Sequence, residues 1–267
     1  MNKDFIFFGT DEVASTGLKH LRANKLEPIF CVNKFVDIVM EETIAKSGCQ
    51  FGILISYGKI ISKKIMSLFP KGLLNIHPSL LPLLRGPSPI KSAILEGLAV
   101  TGVSIMLLDT EIDHGPILTQ REITLSPQVA REPDLREALL AEGTRLLKQI
   151  LPDYLSGNLK PIEQDHIKAT YTRKFTVEDG LIETSLILGQ SRLDEVVLAD
   201  RKVRALASEP GTYCIFETTT GQKRLKILEA KIEESKLVPT LVQPAGKRPM
   251  DWAAFLRGNK LVSSRLL

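Results

Sequence analysis

The segment Leu73 to Gly86, LLNIHPSLLPLLRG, contains the residues of this sequence best suited to chemistry. Asn75 and His77 lie two positions apart in an apolar run, so on a β-strand their side chains would share one face. An amide donor beside an imidazole can stabilise a negatively charged oxygen and move a proton. The alternative is that Asn75 caps a turn and His77 is a satisfied, partly buried histidine, the usual outcome for an isolated Asn-x-His pair.

A second polar segment, Asp109 to Gly115 (DTEIDHG), follows another apolar run. Because both runs read as strands of one sheet, we expect Asp113 to reach the same sheet edge as His77. A carboxylate beside an imidazole favours its charged form and fixes its orientation. His114 is a rival partner, which we interpret as a solvent-facing loop residue. The predicted catalytic residues are therefore Asn75, His77 and Asp113.

The elements that must position these residues alternate between strand-like and helix-like segments. Strands are predicted at 5–9, 28–32, 51–56, 73–77 and 102–109. Helices are predicted through Leu18 and Leu21 and at 36–47, 61–68, 88–97 and 132–155. Apolar strands separated by helices are typical of a sheet that is covered on both faces. We predict an α/β domain over residues 1–157, with a Rossmann-like, mostly parallel sheet and helices on both faces.

The pattern changes after residue 157. Residues 158–178 are polar and poorly periodic, which predicts a linker. Farther on, strands are predicted at 211–218 and 224–232, joined by a turn at 219–222, with a shorter strand at 237–242. We therefore predict a smaller, β-rich, barrel-like C-terminal domain over residues 179–267, resembling an OB fold.

The composition makes some classes of protein unexpected but does not by itself identify the function. The net charge of +4 permits a polyanionic partner but does not require one. The three cysteines are widely spaced and form no zinc or disulfide pattern, so we expect reduced thiols and no metal. No apolar stretch approaches the roughly 20 residues that span a bilayer, and no signal peptide is recognisable. A cytoplasmic protein with no membrane contact is expected.

The motifs taken together resemble the formyltransferases that use 10-formyltetrahydrofolate. NIHPSLLP, the following RG, and the later G-V-x-I…D-x-x-x-D-x-G place the family's catalytic Asn, His and Asp on Asn75, His77 and Asp113. FFGT at Phe7 to Thr10 and GPSPIKSAI after the catalytic loop resemble the branch that formylates methionyl-tRNA. ATYTRKFTVEDGLIE from Ala169 and VQPAGKRPMDWAAFLRG from Val242 resemble the same branch. The resemblance covers most of the chain.

The resemblance implies formyl transfer from 10-formyltetrahydrofolate to the α-amino group of methionyl-initiator tRNA. Asn75 and a protonated His77 would stabilise the tetrahedral oxyanion. Asp113 would keep His77 charged and, through water, help a proton move from the amine to the departing folate nitrogen. The expected partners are this tRNA and the folate co-substrate.

The resemblance also assigns binding residues. The folate pterin is expected to contact Tyr57, Gly58, Ile60, Ile61, His77, Pro78, Ser79, Leu80 and Asp109. Ile60 and Ile61 could equally be core residues. No nucleotide is expected, because FFGTDE has a single glycine and lacks the dinucleotide fingerprint. The candidate tRNA contacts are Arg85, Lys202, Arg204, Lys223, Arg224, Lys226 and Lys247, for which a solvated charged surface is the alternative.

The sequence departs from the family after Asn33, where about 30 residues, roughly one βα repeat, are absent. In the tRNA-using branch, the loop in this region enters the acceptor stem. Its loss leaves two alternatives open: an amino-sugar nucleotide as the acceptor, or a folate- or tRNA-binding protein with impaired catalysis. The shortened sheet would also expose the strand at 28–32 as an edge. We expect a monomer of reduced stability, with dimerisation through that edge as the alternative.

Overall fold

The computed structural model of the protein describes residues 4–126, 128–189, 191–218 and 221–259. The chain divides into two compact units. The first comprises residues 1–89, 99–125 and 135–173, and the second comprises residues 90–98, 126–134 and 174–267. Most of the predicted linker, residues 158–173, thus groups with the first unit. The domain limits proposed from the sequence remain a prediction.

The helices and strands follow one another in a regular order. They are β1 (Phe5–Phe8), α1 (Glu12–Ala23), β2 (Phe30–Val32), α2 (Ile38–Ser47), β3 (Phe51–Leu54), α3 (Lys63–Met66), β4 (Leu73–His77), α4 (Pro89–Glu96), β5 (Val100–Leu107), β6 (Ile117–Thr124), α5 (Glu132–Ser156), α6 (Thr184–Leu188), α7 (Leu193–Ala205), β7 (Thr212–Thr218), β8 (Gly221–Glu233), β9 (Lys236–Pro244), β10 (Met250–Asp251) and α8 (Trp252–Gly258). Two short 3-10 helices lie at His166–Lys168 and Glu178–Gly180.

The first unit is built on a six-stranded sheet with the order β2-β1-β3-β4-β5-β6. The four strands from β2 to β4 are parallel, and β5 and β6 are antiparallel to their neighbours. Every residue of β1, β3 and β4 is buried, as a sheet covered on both faces requires. The predicted Rossmann-like, mostly parallel α/β class is confirmed.

Strand β6 was not predicted from the sequence. Its outer part is polar and mostly exposed, because β6 forms the far edge of the sheet and pairs only with β5 among the described strands. A half-exposed antiparallel edge strand lacks the continuous apolar run that identified the central strands. The sequence of β6 therefore does not show the apolar run by which the other strands of this sheet were predicted.

The opposite edge of this sheet is β2, as the sequence predicted. It pairs with β1 through Phe30, Cys31 and Val32, and no second strand in the described part of the chain pairs with it. Several apolar side chains next to this strand are exposed. They are Ile29 (47%), Phe35 (62%), Ile38 (77%) and Val39 (74%). Apolar groups and an unpaired backbone edge thus occur in the same short region.

The second unit contains an antiparallel sheet with the order β10-β9-β8-β7. Side chains from this sheet and from α6, α7 and α8 form one core, to which Val196, Cys214 and Phe255 belong. The predicted β-rich domain is confirmed, but helices α6 and α7 were missed. The predicted turn at 219–222 lies partly outside the described residues. No helix within those residues has the length and apolar character needed to cross a membrane.

Candidate active site

The structure brings the three predicted catalytic residues together. Asn75 and His77 lie on the central strand β4 and are buried, with 6% and 4% exposure. Asp113 lies in the loop between β5 and β6. Its Oδ1 atom accepts a hydrogen bond from Asn75 Nδ2 at 3.3 Å and lies 3.5 Å from His77 Nδ1. Two donors from one face of β4 therefore converge on a single anionic oxygen.

Both ring nitrogens of His77 face oxygen atoms that accept hydrogen bonds. His77 Nε2 lies 3.2 Å from the carbonyl oxygen of Leu84, which can only accept, so we assign a proton to this nitrogen. Nδ1 faces the Asp113 carboxylate on the other side. With a hydrogen-bond acceptor beside each ring nitrogen, His77 is placed to donate from both.

The second carboxylate oxygen of Asp113 has a separate partner. Its Oδ2 atom accepts from the backbone N–H of Gly86 at 2.8 Å. Gly86 has φ +106°, and a β-carbon there would lie 2.9 Å from the carbonyl oxygen of Thr172, so only glycine fits. The glycine of the RG motif thus orients the Asp113 carboxylate.

The loop that follows β4 is held by polar side chains from β5 and β6. Ser104 donates to the carbonyl of Ser79 at 2.6 Å and accepts from the N–H of Leu81 at 3.1 Å. Gln120 Nε2 donates to the Leu81 carbonyl and to Ser104 Oγ, both at 2.8 Å. The peptide bond between Leu81 and Pro82 is cis. Antiparallel strands β5 and β6 therefore fix the loop that carries the second half of the motif.

Arg85 does not occupy the surface position expected of a tRNA contact. It is 1% exposed, and its guanidinium donates to Gln164 Oε1 at 2.7 and 3.2 Å. It also donates to His166 Nδ1 at 2.8 Å and to the Tyr171 hydroxyl at 3.3 Å. A buried guanidinium with these partners is not accessible to a phosphate, so the prediction for Arg85 is corrected to a structural role.

Gln164 is the site residue that the sequence interpretation missed. It lies in the predicted linker, is 6% exposed, and its side-chain amide donates to the carbonyl oxygens of Asp113 at 2.9 Å and Gly115 at 2.7 Å. Its partners lie 49 to 79 residues away in the sequence. The sequence shows only that Gln164 lies within a polar segment, and such a segment is usually exposed to solvent.

Two histidines outside the predicted trio stack beside the Asp113 loop. The rings of His114 and His166 are parallel, with centroids 3.9 Å apart. His114 Nδ1 lies 2.6 Å from Asp109 Oδ2. His114, expected to face solvent, is therefore partly buried with both a ring partner and a carboxylate partner, whereas His166 is exposed.

The predicted folate contacts occupy different environments. The ring of Tyr57 packs edge-on against Phe8, and its hydroxyl donates to the carbonyl of Lys34 at 2.7 Å, so this side chain belongs to the core. Burial raises the pKa of the Tyr57 phenol. The hydroxyl of Ser79 donates to the Leu83 carbonyl. The remaining predicted positions differ in exposure: Gly58 and Ile60 are exposed, whereas Ile61, Pro78, Leu80 and Asp109 are partly buried.

The basic residues predicted for the second unit also separate into groups. Arg204 is 6% exposed and pairs with Asp200 at 2.8 Å, which corrects its assignment as a tRNA contact. Lys202 donates to the Leu181 carbonyl and Lys223 to Asn259 Oδ1, and both are partly buried. The exposed members are Arg224, Lys226 and Lys247.

No group of three or more His, Cys, Asp or Glu residues that could hold a metal occurs within the described ranges.

Comparison with known proteins agrees with this geometry. Residues 14–151 match the family model described as formyl transferase. The chain is also 37% identical to the methionyl-tRNA formyltransferase of Chloroflexus aurantiacus over 256 residues, which covers 86% of this chain and 78% of that relative. The chain belongs to the formyltransferase family. The enzyme class predicted from the sequence is therefore confirmed.

Solved structures, several of them formyltransferases, share the fold. The methionyl-tRNA formyltransferase from Clostridium thermocellum matches with a TM-score of 0.64 and 20% identity, over 90% of this chain and 98% of that chain. HypX from Aquifex aeolicus, solved in complex with tetrahydrofolic acid, matches with a TM-score of 0.69 and 18% identity, over 94% of this chain and 46% of that chain. Sugar N-formyltransferases also have this fold.

Proposed function

We propose that this formyltransferase moves a formyl group from 10-formyltetrahydrofolate to the α-amino group of methionyl-initiator tRNA. The observation that carries the proposal is the convergence of Asn75 Nδ2 and His77 Nδ1 on one anionic oxygen, Asp113 Oδ1. Donors arranged in advance around such a point stabilise a developing oxyanion better than mobile water does. The curated relatives that carry the methionyl-tRNA name support the choice of acceptor.

The reaction forms one C–N bond and breaks another. The amino nitrogen of the methionyl group attacks the formyl carbon, and the carbonyl oxygen becomes an oxyanion that the second N–H of the Asn75 amide and the charge of His77 stabilise. The tetrahedral intermediate then collapses, the bond from the formyl carbon to N10 of the folate breaks, and the oxygen regains its double bond. The proton lost by the amine passes to N10, with Asp113 and His77 holding water on this path.

The folate would occupy the carboxyl end of the parallel strands, where open α/β sheets bind their ligands. HypX, the neighbour solved with tetrahydrofolic acid, supports a folate in this fold. Because the Tyr57 and Ser79 side chains bond within the protein, we assign the pterin contacts to the backbone around Tyr57 and Asp109 and to the exposed sides of Pro78 and Leu80. A cytoplasmic location suits an enzyme that acts on a charged tRNA.

The exposed basic side chains of the second unit are the proposed tRNA contacts. Arg224 and Lys226 lie two positions apart on β8 and so share one face of its sheet. The guanidinium of Arg224 lies 3.7 Å above the centre of the Tyr213 ring, which keeps it extended along this face. Each phosphate that they contact adds about one unit to the salt dependence of binding.

Replacing Arg224 and Lys226 together by alanine should flatten the salt dependence of tRNA binding. Filter binding over a range of salt concentrations measures the slope, which we expect to fall by about two units. Replacing the buried Arg204 tests folding instead and should lower the melting temperature. An unchanged slope in the double variant would leave these side chains as an ordinary charged surface.

A formylation assay with the purified protein tests the proposed function. The protein is mixed with 10-formyltetrahydrofolate and methionyl-initiator tRNA, and release of tetrahydrofolate is followed together with formylmethionyl-tRNA. We expect both products in equal amounts. Tetrahydrofolate release that requires an amino-sugar nucleotide instead would overturn the proposed acceptor, and tight folate binding without turnover would indicate a binding protein.

The sugar nucleotide is the second candidate acceptor because of one feature of the chain. The alignment with the Chloroflexus aurantiacus relative has 256 positions, but only 86% of this 267-residue chain takes part in it. The remaining positions of the alignment are residues of the relative that this chain lacks. The sequence places the main gap after Asn33, where the tRNA-using branch carries its acceptor-stem loop. Running both acceptors in one assay decides between them.

A further inference from the structure

The backbone of the catalytic carboxylate residue is held in an unusual conformation. Asp113 has φ +48°, in the left-handed region that residues other than glycine seldom adopt. Two positions on, a β-carbon at Gly115 would lie 2.1 Å from the carbonyl oxygen of Leu107, so the loop passes against β5 with no space for a side chain. Such strain at a functional site persists only where neighbouring groups hold it in place.

Gln164 is the neighbour that holds this loop. Its Nε2 atom donates to the carbonyl oxygen of Asp113 at 2.9 Å and to that of Gly115 at 2.7 Å. Both side-chain N–H groups are used, one on each side of His114. The two carbonyls are fixed in the directions that the left-handed residue requires.

Arg85 determines which way the Gln164 amide points. The guanidinium can only donate, and it lies 2.7 and 3.2 Å from Gln164 Oε1. The oxygen of the amide therefore faces Arg85, and its nitrogen must face the two carbonyls. Arg85 itself is fixed by backbone pairing with the predicted linker, where its N–H donates to the carbonyl of Thr170 at 2.9 Å.

Asp113 is thus held at its carboxylate and at its backbone carbonyl, in each case by a residue next to Arg85 in the chain or bonded to its side chain. Its carboxylate accepts from the N–H of Gly86, the residue after Arg85, and its carbonyl accepts from Gln164, the side chain bonded to Arg85. A shift of the Gln164 amide would rotate the peptide units around Asp113 and move Oδ1 away from Asn75 and His77. Displacement of a catalytic group by about 1 Å can cost two orders of magnitude in rate.

We propose that Gln164 is a positioning residue for formyl transfer, which acts on the reaction by holding Asp113 in its left-handed conformation. The inference rests on the proposed function, because it assigns to Gln164 a role in the chemistry of that same site. Gln164 does not touch the reacting atoms. Its effect should therefore appear in kcat and depend on Asp113.

The first test is the isosteric substitution Gln164→Glu. The new carboxylate retains an acceptor for Arg85 but presents an oxygen, in place of two N–H donors, to the carbonyls of Asp113 and Gly115. We expect kcat for formylation to fall roughly tenfold or more, with KM for folate and tRNA changed by less than about threefold. Gln50→Glu is the matched control, because exposed Gln50 also donates to a backbone carbonyl, that of Gly48, and should leave kcat unchanged.

The second test shows whether the effect passes through Asp113. Asp113→Asn keeps a residue that tolerates left-handed backbone but removes the charge. If Gln164 acts by orienting this carboxylate, adding Gln164→Glu to Asp113→Asn should lower the single-turnover rate by less than about threefold. A full additional tenfold loss would show an independent effect and overturn the proposal. Gln164→Met repeats the cycle if the glutamate variant does not fold.

The outcomes separate this inference from the proposed function. Turnover by the parent protein with an amino-sugar nucleotide but not with tRNA overturns the proposed acceptor, and the same cycle is then measured on the sugar. Turnover by the parent with either acceptor, and a folded Gln164→Glu variant of equal kcat, overturns the role of Gln164 alone. A parent that transfers formyl to neither acceptor overturns both.

Discussion

The carboxyl end of β4 and the outer strand β2 belong to one sheet but are built in opposite ways. At β4, Asn75 and His77 are buried, and each has a hydrogen-bond partner within the protein. At β2, the neighbouring apolar side chains of Ile38 and Val39 are about three-quarters exposed, and the outer backbone edge has no strand partner among the described residues.

From this difference we expect the β2 edge to tolerate loss of chain better than the centre of the sheet. Loss of a βα repeat beside β2 would change the edge of the sheet, whereas β1, β3 and β4 pair with one another in parallel register away from it. The three side chains predicted to be catalytic depend on β4, on the Asp113 loop and on residues 158–173, and none of these lies at that edge. Substitutions at β4 should therefore change rate, and substitutions near β2 should change association and stability.

The largest expected effect comes from His77. Replacing it by alanine removes a donor to the oxyanion, which typically costs about 3 kcal/mol of barrier, or roughly a hundredfold in kcat. Single-turnover formylation measures the loss. His20→Ala is the control, because His20 is paired with Glu137 elsewhere in the first unit and should keep full activity. A His77→Ala enzyme within a few-fold of the parent would remove the basis for the site.

Arg85 should affect stability and activity together. In Arg85→Met, the buried side-chain oxygen of Gln164 loses its donor, and an unsatisfied buried group costs about 1–3 kcal/mol. We expect a lower melting temperature and, because Gln164 is released, a kcat reduced about tenfold. Arg85→Lys should not restore either property, since an ammonium lacks the planar fork that contacts several acceptors at once.

The exposed Arg224→Met is the control for Arg85. Its guanidinium lies over the Tyr213 ring at the surface of the second unit, and its loss should change the melting temperature little. Thermal unfolding followed by circular dichroism compares the two variants. Equal shifts for Arg85→Met and Arg224→Met would contradict the structural role given to Arg85.

The buried polar residues of the two units mark the limit of what the sequence could predict. Strand β4 and its two polar residues were predictable because an apolar run and a short motif lie within five residues. The burial of Arg85 and Arg204 was not, since an arginine in an amphipathic or polar segment is usually exposed. Gln164 was hidden for the same reason: its partners are a distant arginine and two backbone carbonyls, which leave no local pattern.

Changes at the β2 edge should have smaller effects, mainly on association. An exposed edge strand beside apolar side chains favours pairing with a second copy. We expect a monomer at low concentration that dimerises as the concentration rises in sedimentation experiments. Ile38→Lys combined with Val39→Glu should weaken this dimerisation and leave kcat unchanged. The control is Val129→Lys, an exposed apolar position in the second unit, which should leave dimerisation as it is. A parent protein that stays monomeric at high concentration and melts at high temperature would contradict both the dimer and the reduced stability.

The cysteines test the difference between the exposed β2 edge and the buried regions with the least change to the protein, because their thiols can be labelled without substitution. Cys31 on β2 is exposed, whereas Cys49 in the first unit and Cys214 in the second are buried. At about pH 8, an alkylating reagent should modify Cys31 in the folded protein and the other two only after unfolding, as intact mass spectrometry would show. Modification of Cys49 as fast as Cys31 would mean that the region behind the edge opens readily.

Cys214 adds a pH dependence whose sign follows from its burial. Desolvation raises the pKa of its thiol to about 12, from a usual value of 9.0, so the folded state favours the protonated form. The stabilisation is present below pH 9.0 and is lost as the pH rises from there towards about 12, because the unfolded state releases its proton first. Cys214→Ala should remove this part of the alkaline decline in unfolding free energy. Cys31→Ala should remove a smaller part, because burial also raises the pKa of the Cys31 thiol but does so less than for Cys214. Parallel alkaline decline in Cys214→Ala and the parent would show that other groups cause it.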